Sequence, residues 1–394
     1  MIIELKNYLH LTENNDATLA LQEALHVLKN NPGSTLKLGG GEYHFYKKYA
    51  FEKEYYISNN TYSKKSIIFP IIDMENVTID GEGADLLFHG EVLPFVLDNS
   101  KNVVLKNFKI DYPHPYFFQG EITAAAEDFV EITFDTNQFN ARVDGDFLTF
   151  FSKEDGWETK KDRLLTTEFD KKTSAPSSHI TPYFLYLPKK SDGSFLENMY
   201  RFVKGTQLAE NKIRFDGHFK HVHNVGNILV GTCAPGRNCP GILINRSKDT
   251  LIKDVTLHST LAMGIIGQIS ENVTLDTVKT VPRQGSGRYL SVNADSTHFV
   301  NCTGAIRYEN CTFTNMLDDA GNVHGNYLKI AKIIDSHTLL PTFGHPEQEG
   351  VNIFDKDDVV RLVDNKKMTE IACVTVKDSK LISSKYVRLE TVEE

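Results

Sequence analysis

The sequence has little of what would tie it to a membrane, to nucleic acid or to a disulfide scaffold. Five cysteines in 394 residues (Cys233, Cys239, Cys302, Cys311, Cys373) are too few for a disulfide framework. None forms a CxxC pair, the spacing of a structural zinc site. No apolar run approaches the ~18 residues of a membrane span. Positive charge is in deficit: 43 Lys and Arg stand against 52 Asp and Glu, a net charge of −9. That excludes phosphate backbones and anionic membranes as natural partners, since both need clustered cations. Met1-Ile2-Ile3-Glu4-Leu5-Lys6 lacks the basic and apolar regions of a secretory leader. What remains, 40% hydrophobic and 24% charged residues with 13 prolines, is the composition of a globular chain with ample core.

One segment recurs. Lys101-Asn102-Val103-Val104-Leu105-Lys106-Asn107-Phe108-Lys109-Ile110 is echoed by Lys248-Asp249-Thr250-Leu251-Ile252-Lys253-Asp254-Val255-Thr256-Leu257. Glu75-Asn76-Val77-Thr78-Ile79 and Glu271-Asn272-Val273-Thr274-Leu275 repeat its first half, and Glu309-Asn310-Cys311-Thr312-Phe313 is a looser fifth copy. Each is a polar turn residue followed by period-2 alternation, the mark of a half-buried strand. The steps, 26 residues from 75 to 101 and 23 from 248 to 271, are those of stacked units that cannot bury their own faces alone. Without intervening helices, the pattern predicts an all-β, right-handed parallel β-helix of the pectin-lyase-like kind. Asn76, Asn245, Asn272, Asn301 and Asn310 stand in glycan-acceptor context. Their place in the repeat favours instead turn residues that take left-handed geometry and stack in a ladder.

The N-terminus reads as a cap. Asn15-Asp16-Ala17-Thr18 precedes a short helix with Leu19, Leu21, Ala24, Leu25 and Leu28 as its stripe, and Thr35–Leu38 with Gly39-Gly40-Gly41 reads as strand and turn. The rhythm is lost from Pro115 to His223, where Val130–Phe134, Phe147–Phe151 and Tyr183–Leu187 predict an inserted antiparallel β-barrel or sandwich. It returns at Asn224 and breaks again after Asn326. Asn352–Phe354, Val359–Val363 and Ala372–Val376 then suggest a second small barrel. The expected division is 1–114 (cap and first coils), 115–222 (inserted barrel), 223–325 (coils with the functional cluster) and 326–394 (second inserted barrel).

The densest polar cluster lies in the last coils. Asp295 precedes Asp318 by 23 residues, one repeat step, so Asp295 should neighbour Asp318 or Asp319 on adjacent levels. Strand backbones there stand about 4.8 Å apart. Like charges about 4 Å apart cost about 4 kcal/mol at an effective dielectric near 20. The usual outcome is that one carboxyl keeps its proton while the others ionise. A protonated and an ionised carboxyl side by side are the acid and base of glycoside hydrolysis. A solvated turn and a calcium site are the competing readings of the same carboxylates. Asn322 and His324 stand close enough in sequence to bind sugar hydroxyls. Arg288 either orients sugar or pairs with Asp295, and the Gln268 amide suits hydroxyl recognition. Arg237 and the single Trp157 are weaker candidates to line a cleft, and a Cys233–Cys239 disulfide would need an oxidising compartment.

Asn293-Ala294-Asp295-Ser296-Thr297-His298-Phe299 and Leu317-Asp318-Asp319-Ala320-Gly321-Asn322-Val323-His324-Gly325 resemble glycoside hydrolase family 110, the α-1,3-galactosidases that include blood-group-B-cleaving enzymes. Glu54–Asn59, Leu105–Asp111, Met263-Gly264 and Gln268 agree, so the resemblance runs from about residue 2 to about residue 376. It implies a right-handed β-helix with inserted barrels, release of terminal α-linked galactose with inversion, no metal or other cofactor, and an exported protein. Its three active-site aspartates match Asp295, Asp318 and Asp319. Analogy with polygalacturonases makes Asp318 the general acid and Asp295 with Asp319 the base pair. The resemblance also implies a longer chain that resumes the β-helix after the second barrel. Two other functions stay open. One is a polygalacturonase-type hydrolase, for which Arg283 and Arg288 would bind the uronate. The other is a non-catalytic carbohydrate-binding β-helical protein. Oligomeric state has no signature in the sequence.

Overall fold

The computed structural model describes residues 1–178, 180, 183–186, 200–232 and 237–393. Two parallel sheets form the body, and the chain passes alternately between them. One sheet runs Ile2–Glu4, Thr35–Lys37, Glu75–His89, Lys101–Asp111, Lys248–Leu257, Glu271–Asp276, Thr303–Glu309. The other runs Asn322–His324, Thr297–Val300, Ile265–Gln268, Ile242–Asn245, Leu93–Asp98, Ser63–Ile72, with Phe51–Tyr55 antiparallel at its edge. Each passage adds one strand to each sheet. The repeats read from the sequence lie level with one another: Val77, Val103, Thr250 and Val273 are successive register partners.

Alternation explains the core. Val103, Leu105, Phe108 and Ile110 point inward and are buried, as are Ile252, Val255 and Leu257 one level on. Phenylalanines stack across levels, with ring centroids 4.1 Å apart for Phe69–Phe95 and 5.0 Å for Phe95–Phe108. The turn ladder also forms. Asn76, Asn102, Asp249 and Asn272 all have φ near +55°. Asn102 donates to Asn76 at 2.8 Å and Asn272 to Asp249 at 3.0 Å. On the next level Gly304 (φ +66°) takes this place, where a Cβ would stand 2.3 Å from Asn272 Oδ1. The fifth repeat copy is therefore displaced. Lys279 pairs with Thr312, and Asn310 falls level with Thr277, at the second bend of the coil. Both bends need a left-handed residue, so an Asn-x-Thr pattern alone cannot say which bend it marks.

The cap helix spans Thr18–Lys29, with the Asp16 carboxylate accepting from the Thr18 N–H at 3.0 Å. Its buried stripe includes Ala20, while Leu19 is only half-buried. Among the described residues no helix is long and apolar enough to cross a membrane.

The first excursion is a closed barrel that includes Phe117–Ala126, Phe129–Thr133, Arg163–Phe169 and Ile228–Thr232. Its first and last strands are antiparallel neighbours, Leu229 opposite Gly120. The chain thus leaves and re-enters the stack at one place, and Lys101–Asp111 pairs directly with Lys248–Leu257 across the excursion. Strand Ile228–Thr232 closes the barrel, so the repeat resumes at Ile242 and not at Asn224 as the rhythm suggested. Ile228, Leu229 and Val230 alternate like a coil strand, but they bury against the barrel core.

The last segment is a five-stranded antiparallel sheet, Leu328–Asp335, Thr338–Phe343, Val387–Thr391, Thr369–Leu381, Val359–Asp364, and no pairing joins its two outer strands. The expected second barrel is thus an open sheet among the described residues. Asn352–Phe354 is a loop rather than a strand, because Asn352 is drawn to Ser379 (3.0 Å) and its carbonyl to Arg246.

Candidate active site

Asp295 ends a segment that is anchored at almost every residue. Gln119 of the barrel donates to Gly287 O and accepts from Tyr289 N–H, the Ser291 N–H donates to Asn315 O, and the Asn293 amide donates to Tyr116 O. Asp295 is 2% exposed. Its Oδ2 accepts from His298 Nδ1 at 2.7 Å, and among the described residues Oδ1 makes no hydrogen bond.

Asp318 and Asp319 come from the loop before Asn322–His324. His298 pairs with Asn322, and the Ser296 N–H donates to Asp319 O at 2.8 Å. The step here is therefore 24 residues, and Asp319, not Asp318, stands level with Asp295. One more residue in this loop than in the previous level makes the difference. Because the pair lies outside a strand, strand alternation does not orient it; their partners do. Arg237 donates to Asp318 Oδ2 at 2.8 Å, and Asn322 donates to Asp319 Oδ2 at 3.1 Å. Partial burial first, then the charge of Asp295, push the Asp318 carboxyl above its ordinary 3.8. Arg237 opposes them and Asp319 adds to the push. With 46% of the Asp318 side chain open to solvent, water screens much of this.

His324 sits at the cluster, its Nε2 2.9 Å from His298 Nε2 and its Nδ1 3.0 Å from Gly325 O. Asn59 Nδ2 reaches His298 Nε2 at 3.2 Å.

Two expected sugar ligands are committed elsewhere. Arg288 meets Asp111 Oδ1 at 2.7 Å and the carbonyls of Tyr112 and Pro113, with its side chain 5% exposed. It does not pair with Asp295. It pins the loop before Asp295 to the point where the chain leaves for the barrel. Arg283 grips the other oxygen of Asp111 at 2.5 Å, so neither arginine suggested for a uronate reaches the aspartates with its charge free. Gln268 is buried, with its amide fully used by Ser58 N–H, Tyr56 O and Asn245 Oδ1. It braces the 56–58 segment and has no donor left for a hydroxyl. Trp157 stacks on Tyr116 at 4.3 Å between the two cores, as a packing residue. The proposed disulfide falls on Cys233, outside the described residues. Among those residues no group of His, Cys, Asp and Glu is arranged to hold a metal ion.

The sequence did not single out His298 or Asn59 as working residues and ranked Arg237 low. A signal existed for His298: it lies 26 residues before His324, within the range of repeat steps, so the two imidazoles had to stack.

The molecule is an all-β protein, a stack of parallel strands carrying a barrel excursion and a cluster of three aspartates at one end. Residues 118–229 match GLAA-B beta-barrel domain I, and residues 338–394 match GLAA-B beta-barrel domain II. The chain is related to curated α-1,3-galactosidases, and its resemblance to glycoside hydrolase family 110 rests on them. It is 31% identical to alpha-1,3-galactosidase A of Shewanella woodyi over 354 residues, which cover 89% of this chain and 55% of that one. It is 30% identical to alpha-1,3-galactosidase B of Bacteroides thetaiotaomicron over 358 residues, with the same coverages. The chain thus spans about half the length of the curated relatives it matches. Superposition on the family 28 exopolygalacturonase of Yersinia enterocolitica covers 82% of this chain and 49% of that one, at 11% identity and a TM-score of 0.24, too weak a likeness to bear on fold or activity.

Proposed function

We propose that the chain is an inverting exo-glycosidase that hydrolyses terminal α-1,3-linked galactose, with a glycan non-reducing end as its substrate. The curated relatives are named for that activity. The observation that carries the reading is the trio itself: buried Asp295, and Asp318 pushed up by partial burial and by the Asp295 charge. A carboxyl whose proton is held more tightly than usual suits the general acid. Asp318 protonates the glycosidic oxygen as the bond to the anomeric carbon breaks. Asp295 and Asp319, level with each other, hold a water and take its proton as the hydroxyl adds to the opposite face.

The stacked sheets are the coils of a right-handed parallel β-helix, divided into cap and first coils up to 114, barrel, active-site coils to 325, and a second barrel domain to 394. Asn322 and the exposed edge of His324 line the sugar site. The polygalacturonase reading is weaker, because Arg283 and Arg288 are both committed to Asp111.

Aryl α-galactoside hydrolysis followed by proton NMR tests the proposal. Release of β-galactose first, and loss of turnover in Asp318→Asn that an activated leaving group rescues, are the expected results. Release of α-galactose first discards inversion, and rescue in Asp319→Asn instead reverses the roles. Cleavage of polygalacturonate without cleavage of α-galactosides replaces the substrate.

A further inference from the structure

We propose that His298 and His324 are positioning residues for Asp295, and that His324 carries protons on both ring nitrogens. The proposal deepens the glycosidase reading of the cluster and rests on it for the role of Asp295.

The inference follows from counting donors. His298 Nε2 has two neighbours, the Asn59 side-chain amide at 3.2 Å and His324 Nε2 at 2.9 Å. An amide nitrogen only donates, so His298 Nε2 accepts and carries no proton. The ring must then bear its proton on Nδ1, and that proton goes to Asp295 Oδ2 at 2.7 Å. Asp295 Oδ2 can only be an acceptor there. Because His298 Nε2 accepts, His324 Nε2 must donate to it. The other nitrogen of His324 faces a carbonyl, Gly325 O at 3.0 Å, and must donate too. One amide, Asn59, thus sets the tautomer of His298, the acceptor state of Asp295 and the double protonation of His324.

The charges around the chain agree. Asp318, Asp319 and Asp295 repel one another, and Arg237 answers Asp318 at 2.8 Å. A second positive charge on His324, two residues past Asn322 and its bond to Asp319, leaves three carboxylates against two cations. His298 is 1% exposed and Asp295 2%, so the chain is rigid where it meets the carboxylate and opens toward solvent only at His324. With Oδ2 held, Oδ1 is the oxygen left to take a proton from water. In turnover one water O–H bond breaks, its proton goes to Asp295 Oδ1, and the hydroxyl goes to the anomeric carbon; the histidines neither gain nor lose a proton in that step.

The rings can be read without any assay. Long-range proton–nitrogen spectra of histidine-labelled protein at neutral pH, assigned with His324→Gln, should show His298 neutral with its proton on Nδ1 and His324 protonated at both nitrogens. A neutral His324, or a His298 proton on Nε2, overturns the proposal. Activity supplies the second arm. His324→Gln keeps one donor toward His298 and cannot carry the charge. It should lower kcat by about 10-fold or more, the size of effect typical of partners that orient a reacting group, with KM and melting temperature unchanged. A raised KM with kcat intact would make His324 a sugar ligand and overturn the positioning role. His298→Asn keeps an amide donor toward Asp295 but breaks the link to His324. It should lose kcat to the same extent, whereas wild-type kcat in a folded His298→Asn also overturns the proposal. If the spectra come out as expected and the wild type cleaves no α-galactoside, the hydrogen-bond chain stands and the glycosidase reading falls.

Discussion

Two carboxylate–histidine–histidine chains occur in this molecule, and they are built for opposite ends. One is Asp295–His298–His324 in the aspartate cluster. The other runs Asp155–His89–His44–Glu42, where the Asp155 turn of the barrel excursion meets the first coils. There His89 Nδ1 lies 2.6 Å from Asp155, His44 Nδ1 lies 2.8 Å from His89 Nε2, and His44 Nε2 lies 3.0 Å from Glu42. Three bonds on two rings again require one proton beyond two neutral imidazoles. The difference is in how the chains end. The seam chain has a carboxylate at both ends and a second histidine, His114, on the other oxygen of Asp155 at 3.0 Å, so Asp155 has no oxygen left for a ligand. The cluster chain ends on a backbone carbonyl, and Asp295 keeps Oδ1. The same residue types serve as a clamp where every acceptor is occupied, and as a site where one is withheld.

The comparison can be broken by mutation. Asp295→Asn should lower kcat by about 10²- to 10⁴-fold, the usual contribution of a general base, with little change in melting temperature. Asp155→Asn should do the reverse. It leaves His89 and His114 buried against a neutral amide and should cost about 3 kcal/mol of stability, measured by denaturant unfolding, with kcat kept below the melting range. Equal loss of activity in both variants would mean that the seam reaches the cluster.

Acid sharpens the contrast. Burial pushes the Asp155 carboxyl up, but hydrogen bonds from His114 and His89 outweigh it and bring it from 3.8 to about 2. A carboxyl depressed on folding stabilises the protein above its unfolded value, and that stability is lost as pH falls through the folded one. The seam should therefore contribute about 2 kcal/mol that disappears between pH 3.8 and about 2, and Asp155→Asn should flatten this part of the stability curve. Asp318 has the opposite sign. Its proton is held more tightly in the folded protein, so its ionised form is a cost above pH 3.8. Asp318→Asn should melt slightly higher than wild type at neutral pH, and the gain should vanish below 3.8. A lower melting temperature at neutral pH would mean that the Arg237 pair outweighs the repulsion.

The smallest effect belongs to the region far from both chains. Asn272→Ala removes one bond of the turn ladder and places alanine at φ +55°. It should cost about 1 kcal/mol and leave kcat unchanged.

Much of the body was legible because its determinants are local. Val103, Leu105 and Phe108 alternate whatever their partners are, and Asn102 or Asp249 takes left-handed backbone because its own side chain permits it. The aspartate cluster was legible for the same reason: a constant step stacks residues without any knowledge of loops. Tertiary structure decided everything that depends on a partner far away in sequence. The partner of Arg288 is Asp111, 177 residues earlier, and the partner of Gln268 is the 56–58 segment, more than 200 residues earlier. Nothing near Arg288 or Gln268 distinguishes a side chain that will be consumed by such a neighbour from one left for a sugar. One added residue in the Asp318 loop moved the register from 23 to 24, and a closing barrel strand took the alternation at 228–232 that a coil could have used. The sequence by itself determined which faces are buried and where carboxylates accumulate, because backbone conformation and side-chain period are properties of short segments. Only the fold decided which polar groups stay unpaired, because that depends on which loops meet.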